Sequence, residues 1–336
     1  MDEHWKVVVT ARAFWTSGQS ANKLLANAGC QVINTPKAGP LAADVLGEHC
    51  QDADAVIASS DPYNRALYQA CPRLKIVARC GVGIDSVNLQ DSTDAGVVVT
   101  NTPGAMTEAV ADYCFALLLG MIRRIPEGVQ CMQNGGWTEF PGFELPGKTL
   151  GMVGFGMIGQ AVMRLGLGFG MKLLAYDPPL VASGRASEFP DVEFVDLDTL
   201  FSQSRIVSIH APNMPETRHL VNAHRLSQMR TDAILINTSR GALIDEVALM
   251  DALNSGKIAG AAIDVFEKEP LPADSPLRKT PRLMLTPHNA FNSIEAAARM
   301  SLMSAESVVD LLQSRIPKFV CNPEVLTSPN LRLKVS

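Results

Sequence analysis

Charge is scarce in this sequence, and none of it is massed. Charged residues make up 19% of the 336, against 47% hydrophobic, and 29 Lys and Arg face 34 Asp and Glu for a net charge of -5. The basic residues are scattered rather than gathered in a stripe, so nothing would neutralise a phosphate backbone, which argues against nucleic acid as a partner. Positive charge is also missing where a signal peptide needs it, since the chain starts "MDEHWKVVVTA". No hydrophobic run is long enough for a bilayer, the most apolar stretch being "CFALLLGMI". These absences lead to the expectation of a soluble, cytoplasmic protein with no membrane contact. The seven cysteines, at 30, 50, 71, 80, 114, 131 and 321, are odd in number and form no C-x-x-C pair. Neither a disulfide framework nor a zinc site is indicated, and no metal is expected. Internal repeats, low-complexity tracts and charge runs are absent as well.

What is present is alternation. The length suits two globular domains with sizeable cores. Short β-branched runs recur through the first hundred residues, "KVVVT", "CQVIN", "DAVIAS", "KIVAR" and "GVVVTN", the first three followed by stretches with helical spacing. Such alternation predicts a parallel sheet with helices on both faces. A long apolar helix follows over about 106–124, then a polar loop, "QNGGWTEFPGFELPGK". A second alternation begins at "KTLGMVG" and runs through "KLLAYD", "RIVSIH", "AILINT", "AGAAIDV" and "RLMLTPH". A last helix, roughly 292–314, is too isolated to be a domain and is expected to return to the first unit.

A glycine pattern opens that second alternation almost halfway along the chain. Gly154, Gly156 and Gly159 in "GMVGFGMIGQ" match G-x-G-x-x-G directly after an apolar strand and at the start of a helix. In a dinucleotide site the first glycine permits a tight turn, the second lets backbone approach a pyrophosphate, and the third allows close helix packing, while the helix N-terminus offers N–H groups to the anion. A plain glycine-rich turn would carry the same letters. Asp177, at the end of "KLLAYD", argues for the nucleotide, because a carboxylate there accepts hydrogen bonds from ribose hydroxyls and repels a 2′-phosphate. The expected cofactor is NAD rather than NADP.

The sequence resembles the D-isomer-specific 2-hydroxyacid dehydrogenases. The matching segments are "ARCGVGID", "NTPG", "ELPGKTLGMVGFGMIG", "FGMKLLAYDP", "INTSRGALIDEVAL", "GAAIDVFEKEPLP" and "LTPHNAF", in the family's order over about residues 75–300. The resemblance implies two doubly wound parallel-sheet α/β domains: a Rossmann NAD-binding domain, residues 103–292, inserted into a discontinuous flavodoxin-like substrate domain, residues 1–102 and 293–336. It places the catalytic arginine on Arg240 in "NTSRG", the glutamate on Glu269 in "EKEP" and the histidine on His288 in "TPH". Oxidising a 2-hydroxy acid removes a hydroxyl proton and a hydride, so a base must sit beside the carbinol, and His288 suits that role. A carboxylate beside an imidazole favours the imidazolium and fixes the tautomer, and a guanidinium grips a carboxylate or polarises a carbonyl. Taken singly, an exposed loop carboxylate, a surface cation and a satisfied histidine would each read the same. Their joint occurrence just after apolar strands favours a site, because ligands of open parallel sheets bind outside the strands' carboxyl ends.

The same resemblance puts Arg79, Cys80, Gly81, Val82 and Gly83 in a loop whose backbone N–H groups hold the substrate carboxylate, a glycine turn being the bland alternative. Thr102, Met157, Ile158, His210, Ala211, Pro212, Thr238, Ser239 and Asp264 fall where the family lines its NAD cleft, with Asp264 near the nicotinamide. The helix 106–124 resembles the family's dimer helix, which implies a homodimer; a buried intrachain helix would read alike. Two positions depart from the pattern. Asp112 stands where a glutamate is commoner, and Phe291 follows His288 where many relatives have a small stretch, so that Phe291 is expected to narrow the substrate pocket. The chain stops soon after its last helix, and the regulatory extension of some phosphoglycerate dehydrogenases is not expected. The implied activity is hydride transfer between NAD(H) and a small 2-hydroxy or 2-oxo acid, 3-phosphoglycerate or hydroxypyruvate and glyoxylate. Two alternatives stay open: a formate- or phosphite-dehydrogenase-type enzyme, and a non-catalytic NAD-sensing corepressor-like binding protein.

Overall fold

The computed structural model describes residues 4–333. The chain divides into two compact units, one made of the residues up to Met106 together with those from Asn292 onward, the other of Thr107–Phe291. The first unit's N-terminal part runs to Met106, and the apolar helix Thr107–Ile122 belongs wholly to the second unit.

In the first unit the β-branched runs form β1 (Lys6–Val9), β2 (Gln31–Asn34), β3 (Ala55–Ala58), β4 (Ile76–Arg79) and β5 (Val98–Thr100). They lie in the order β2-β1-β3-β4-β5, all parallel. This is the flavodoxin-like order, and the near-continuous burial of β3 and β5 is what a sheet covered on both faces requires. The helix Ile294–Leu312 packs against the two N-terminal helices Arg12–Ser17 and Gln19–Asn27. The segment beyond it also joins this unit: Val320 bridges Thr100 in antiparallel sense, and Asn322 Oδ1 accepts from Val99 N–H at 2.9 Å.

The second unit is a seven-stranded parallel sheet: β6 (Thr149–Val153), β7 (Lys172–Tyr176), β8 (Val192–Phe194), β9 (Ile206–Ile209), β10 (Ile234–Asn237), β11 (Gly260–Ile263) and β12 (Leu283–Leu285). Its order is β12-β11-β10-β9-β6-β7-β8. Strand residues alternate between two cores. Val207, Leu235 and Ala261 point into one; Ile206, Ile234 and Ala262 point into the other, with the helices Thr107–Ile122 and Met157–Gly168. That two-residue period buries the sheet on both faces and leaves only its strand ends for chemistry. No helix among the described residues is long and apolar enough to cross a membrane.

Candidate active site

Because all seven strands of the second unit run the same way, every loop that follows a strand leaves the same edge of the sheet. The chain order reverses between β6 and β9, which opens a crevice at their carboxyl ends. Read across that edge, the candidates fall in a row: His288 after β12, Asp264 and Glu269 after β11, Thr238 to Arg240 after β10, His210 after β9, Gly154 after β6 and Asp177 after β7.

On the nucleotide side the three glycines have three separate reasons. Gly154 has φ +92°, and a Cβ there would come within 2.7 Å of the His210 and Ala211 backbone. A Cβ on Gly159 would meet the Gly154 carbonyl oxygen at 2.5 Å, so this glycine sets how closely the helix approaches the loop. Gly156 differs, since nothing lies within 4 Å of its Cβ position, and no side chain caps the helix that starts at Met157. An open approach to uncapped helical N–H groups is what a pyrophosphate needs. Met157 is exposed in the same turn, and Ile158 packs on the core beneath. Asp177 accepts from Phe155 N–H at 2.7 Å and from Leu180 N–H at 2.9 Å. Its carboxylate therefore ties the glycine loop to the end of β7, a role the sequence did not disclose.

Toward the middle of the edge, Ser239 Oγ donates to the Ala211 carbonyl at 2.6 Å, and Pro212 lies exposed beside it. The Thr238 hydroxyl is buried with no hydrogen-bond partner among the described residues, an orphaned group just past the end of β10. His210 Nε2 lies 2.9 Å from Ser208 Oγ, and burial pushes its imidazole down to about 4. This ring is neutral near neutral pH.

The second histidine is differently placed. His288 Nδ1 lies 2.6 Å from Glu269 Oε2, with both side chains more than one third exposed, which leaves Nε2 as the ring nitrogen for a reacting group. Glu269 Oε1 accepts from Phe266 N–H at 3.0 Å. Burial opposes the Glu269 charge, yet the His288 hydrogen bond and charge, the Phe266 N–H and the Arg240 charge outweigh it and hold the carboxyl below its ordinary value. Arg240 Nη1 donates to the Ser239 carbonyl at 2.8 Å. The turn that presents His288 hangs on Asp264, whose buried carboxylate accepts from Thr286 Oγ1 at 2.5 Å, Asn289 N–H at 2.9 Å and Ala290 N–H at 2.8 Å. Most of its acceptor capacity goes to that turn. Phe291 sets its ring edge-on to His288, with centroids 6.0 Å apart.

In the first unit the loop after β4 is shaped by Arg79, whose guanidinium donates to the carbonyls of Gly83, Ala58 and Cys80 and to Ser60 Oγ. A Cβ on Gly81 would strike that guanidinium at 2.6 Å. Of the loop's N–H groups, Cys80 donates to Ala58 O and Gly81 to Arg79 O, each at 2.9 Å. The five residues are thus unequal: the Val82 and Gly83 N–H groups have no backbone partner among the described residues, and Cys80 is a buried thiol raised by desolvation. Thr102 N–H donates to Gly81 O at 3.0 Å, and its buried hydroxyl has no partner among the described residues.

Residues 115–290, just over half of the chain, match the family described as D-isomer specific 2-hydroxyacid dehydrogenase, NAD binding domain. The chain belongs to the D-isomer-specific 2-hydroxyacid dehydrogenases. Like others of this family it is an NAD-dependent oxidoreductase acting on the CH–OH group of 2-hydroxy acids. It is 41% identical over 297 residues to the glyoxylate reductase of Korarchaeum cryptofilum, covering 85% of this chain and 88% of that one. It is 36% identical over 286 residues to the D-3-phosphoglycerate dehydrogenase of Methanocaldococcus jannaschii, covering 84% of this chain but 54% of that one. The TT0316 protein of Thermus thermophilus superposes with a TM-score of 0.84 at 34% identity, covering 94% and 99% of the two chains.

For a 2-hydroxyacid dehydrogenase, the open Gly156, the uncapped helix and the orphaned Thr238 hydroxyl fit NAD(H), which when bound supplies or accepts the hydride. Asp177→Asn keeps an acceptor for Phe155 N–H and drops the charge. It is expected to narrow the preference for NADH over NADPH by at least about tenfold, because like charges brought together cost several kcal/mol. Ratios of kcat/KM for the two cofactors check this, and an unchanged ratio would show that Asp177 serves only the loop.

Proposed function

We propose that this enzyme reduces a small, unphosphorylated 2-oxo acid such as glyoxylate or hydroxypyruvate with NADH, and runs the reverse oxidation of the D-2-hydroxy acid. The observation that carries the reading is the His288–Glu269 pair at 2.6 Å with the Arg240 charge beside it. In the second unit, His288 as imidazolium gives its Nε2 proton to the carbonyl oxygen as the hydride arrives at the carbon, and takes it back in oxidation. Glu269 fixes the Nδ1–H tautomer and balances the imidazolium. Arg240 polarises the carbonyl or holds the carboxylate. In the first unit, the Val82 and Gly83 N–H groups suit an anion such as a carboxylate. Formate oxidation needs no proton carrier, so this pair favours a 2-oxo acid.

Two observations favour a small substrate. Arg79, the cation of the 79–83 loop, is engaged by carbonyls of its own neighbourhood rather than held open for a phosphate. Phe291 stands against the His288 ring and narrows the space beside it. A panel of glyoxylate, hydroxypyruvate, pyruvate and 3-phosphohydroxypyruvate with NADH tests the proposal. Preference for the phosphorylated acid would overturn the Arg79 argument, and no turnover on any of the four would sink the reading.

Loss of the Glu269 charge should be visible in the pH dependence. In Glu269→Gln the imidazolium loses its counter-charge, so the fall of reduction and the rise of oxidation with pH both move toward acid, and kcat falls roughly tenfold or more. Profiles that stay in place would detach Glu269 from the proton step.

The helix Ile125–Gln133 supports a homodimer. It has no buried residue, and Ile125, Val129 and Met132, at helical spacing on one face, are each more than half exposed, with Trp137 86% exposed nearby. Val129→Asp is expected to shift the mass in light scattering from two chains to one; a monomeric wild type would rule the dimer out. Seven free cysteines fit a reducing compartment, the cytoplasm.

A further inference from the structure

Arg240 and Glu269 leave neighbouring strands, β10 and β11, on loops that must keep a fixed spacing if one charge is to reach the other. Two contacts clamp those loops together. Gly241, next to Arg240, lies so close to the following loop that a Cβ would stand 1.9 Å from the Phe266 carbonyl carbon and 2.4 Å from Glu267 N. Five residues further on, Glu246 Oε1 accepts from Glu267 N–H at 2.8 Å. Glu246 opens the helix Glu246–Asn254, but that helix is already capped by Asp245, which accepts from Val247 N–H at 3.1 Å and Ala248 N–H at 3.0 Å. The Glu267 side chain pairs in turn with His219 Nε2 at 2.9 Å. Burial, and after it the nearby Glu267 charge, push the Glu246 carboxyl up, against the lowering pull of the Glu267 N–H and of His219.

We propose that Glu246 is a positioning residue for the Glu269–His288 pair: by holding Glu267 N–H it fixes the loop from which Glu269 reaches His288. The link is short, since Phe266 N–H, one residue away from that anchor, is the group that holds the other Glu269 oxygen. Without the Glu246 acceptor, Glu267 N–H turns to water and the 266–269 segment gains freedom, with the close approach of Gly241 left to hold that side. A misplacement of about 1 Å at a reacting pair is enough to slow turnover by up to about 10²-fold. The inference rests on the proton role proposed for His288.

The test compares Glu246→Ala with Glu246→Gln, whose amide oxygen still accepts the N–H. In Glu246→Ala, amide exchange at Phe266 and Glu267 should quicken, kcat for glyoxylate should fall roughly tenfold with NADH affinity unchanged, and the pH profile should move toward acid as in Glu269→Gln. Glu246→Gln should restore all three. If alanine lowers the melting temperature but leaves exchange and the pH profile unmoved, Glu246 serves only its own helix and the proposal is overturned. Equal defects in both variants would overturn it as well, because the charge and not the acceptor would then matter. Should wild-type enzyme turn over no 2-oxo acid, the functional reading fails, while exchange at 266–269 still decides whether Glu246 holds the loop.

Discussion

Alanine in place of His288 is expected to lower turnover by about 10²- to 10⁴-fold, the usual loss for a general acid–base group, with NADH affinity nearly unchanged. The chain has a rival, because His210 also follows a strand of the same sheet edge. Position cannot separate them, but their surroundings do. His210 has its Nε2 beside Ser208 Oγ and is held down to about 4 by burial, so it carries no proton to give near neutral pH. His288 has a carboxylate on Nδ1 and an accessible ring, which is what a group that must be charged in one direction and neutral in the other requires. His210→Gln is therefore expected to raise the KM for NADH and leave the pH dependence of kcat in place. Stopped-flow turnover and NADH fluorescence titration of both variants check this. An active His288→Ala together with an inactive His210→Gln that still binds NADH would reverse the assignment.

Much of this was open to a reader of the sequence, and what was not has physical reasons. Short apolar runs set between stretches with helical spacing declare strands by composition, so β6, β7 and β9 to β12 were legible, as were the five of the first unit. β8 was not: it has three residues, sits at the sheet edge and buries only Val192. The segment after the last helix has no periodicity at all. Its order comes from partners that exist only once the first unit has folded, such as Arg332, which donates to the carbonyls of Tyr68, Cys71, Leu74 and Ala95. In the site, the letters marked Gly154, Gly156, Gly159 and Asp177. They did not mark that Asp177 holds Phe155 N–H, nor that two N–H groups of the 79–83 loop are already engaged, because backbone hydrogen bonds leave no trace in residue identity. Glu246 is the extreme case. In "LIDEVAL" it reads as the acidic first turn of a helix, and only the fold brings Glu267 N–H to it.

Replacing Arg240 by lysine should cost almost as much as removing it. The backbone here has little room to adapt: Asn237 Nδ2 donates to the Arg240 carbonyl at 2.9 Å, Leu243 N–H donates to it at 3.3 Å, and Gly241 is pressed against Phe266. A side chain grown from a fixed point must match the substrate by its own shape. The guanidinium presents parallel donors in one plane, whereas an ammonium is a single point charge, and it also supports the ionised form of Glu269. Two charge-assisted hydrogen bonds lost at about 1.5–3 kcal/mol each correspond to a fall of roughly 10²- to 10⁴-fold in kcat/KM, from a higher KM for the 2-oxo acid and a lower kcat together. Arg240→Lys should recover only a small part of this. Added guanidinium ion should accelerate Arg240→Ala and leave Arg240→Lys unmoved, because only the alanine variant has space for the lost group. Steady-state kinetics with and without guanidinium decide the matter: a lysine variant close to wild type would mean that Arg240 acts as a bulk positive charge, and the geometric role given to its planar fork would have to be withdrawn.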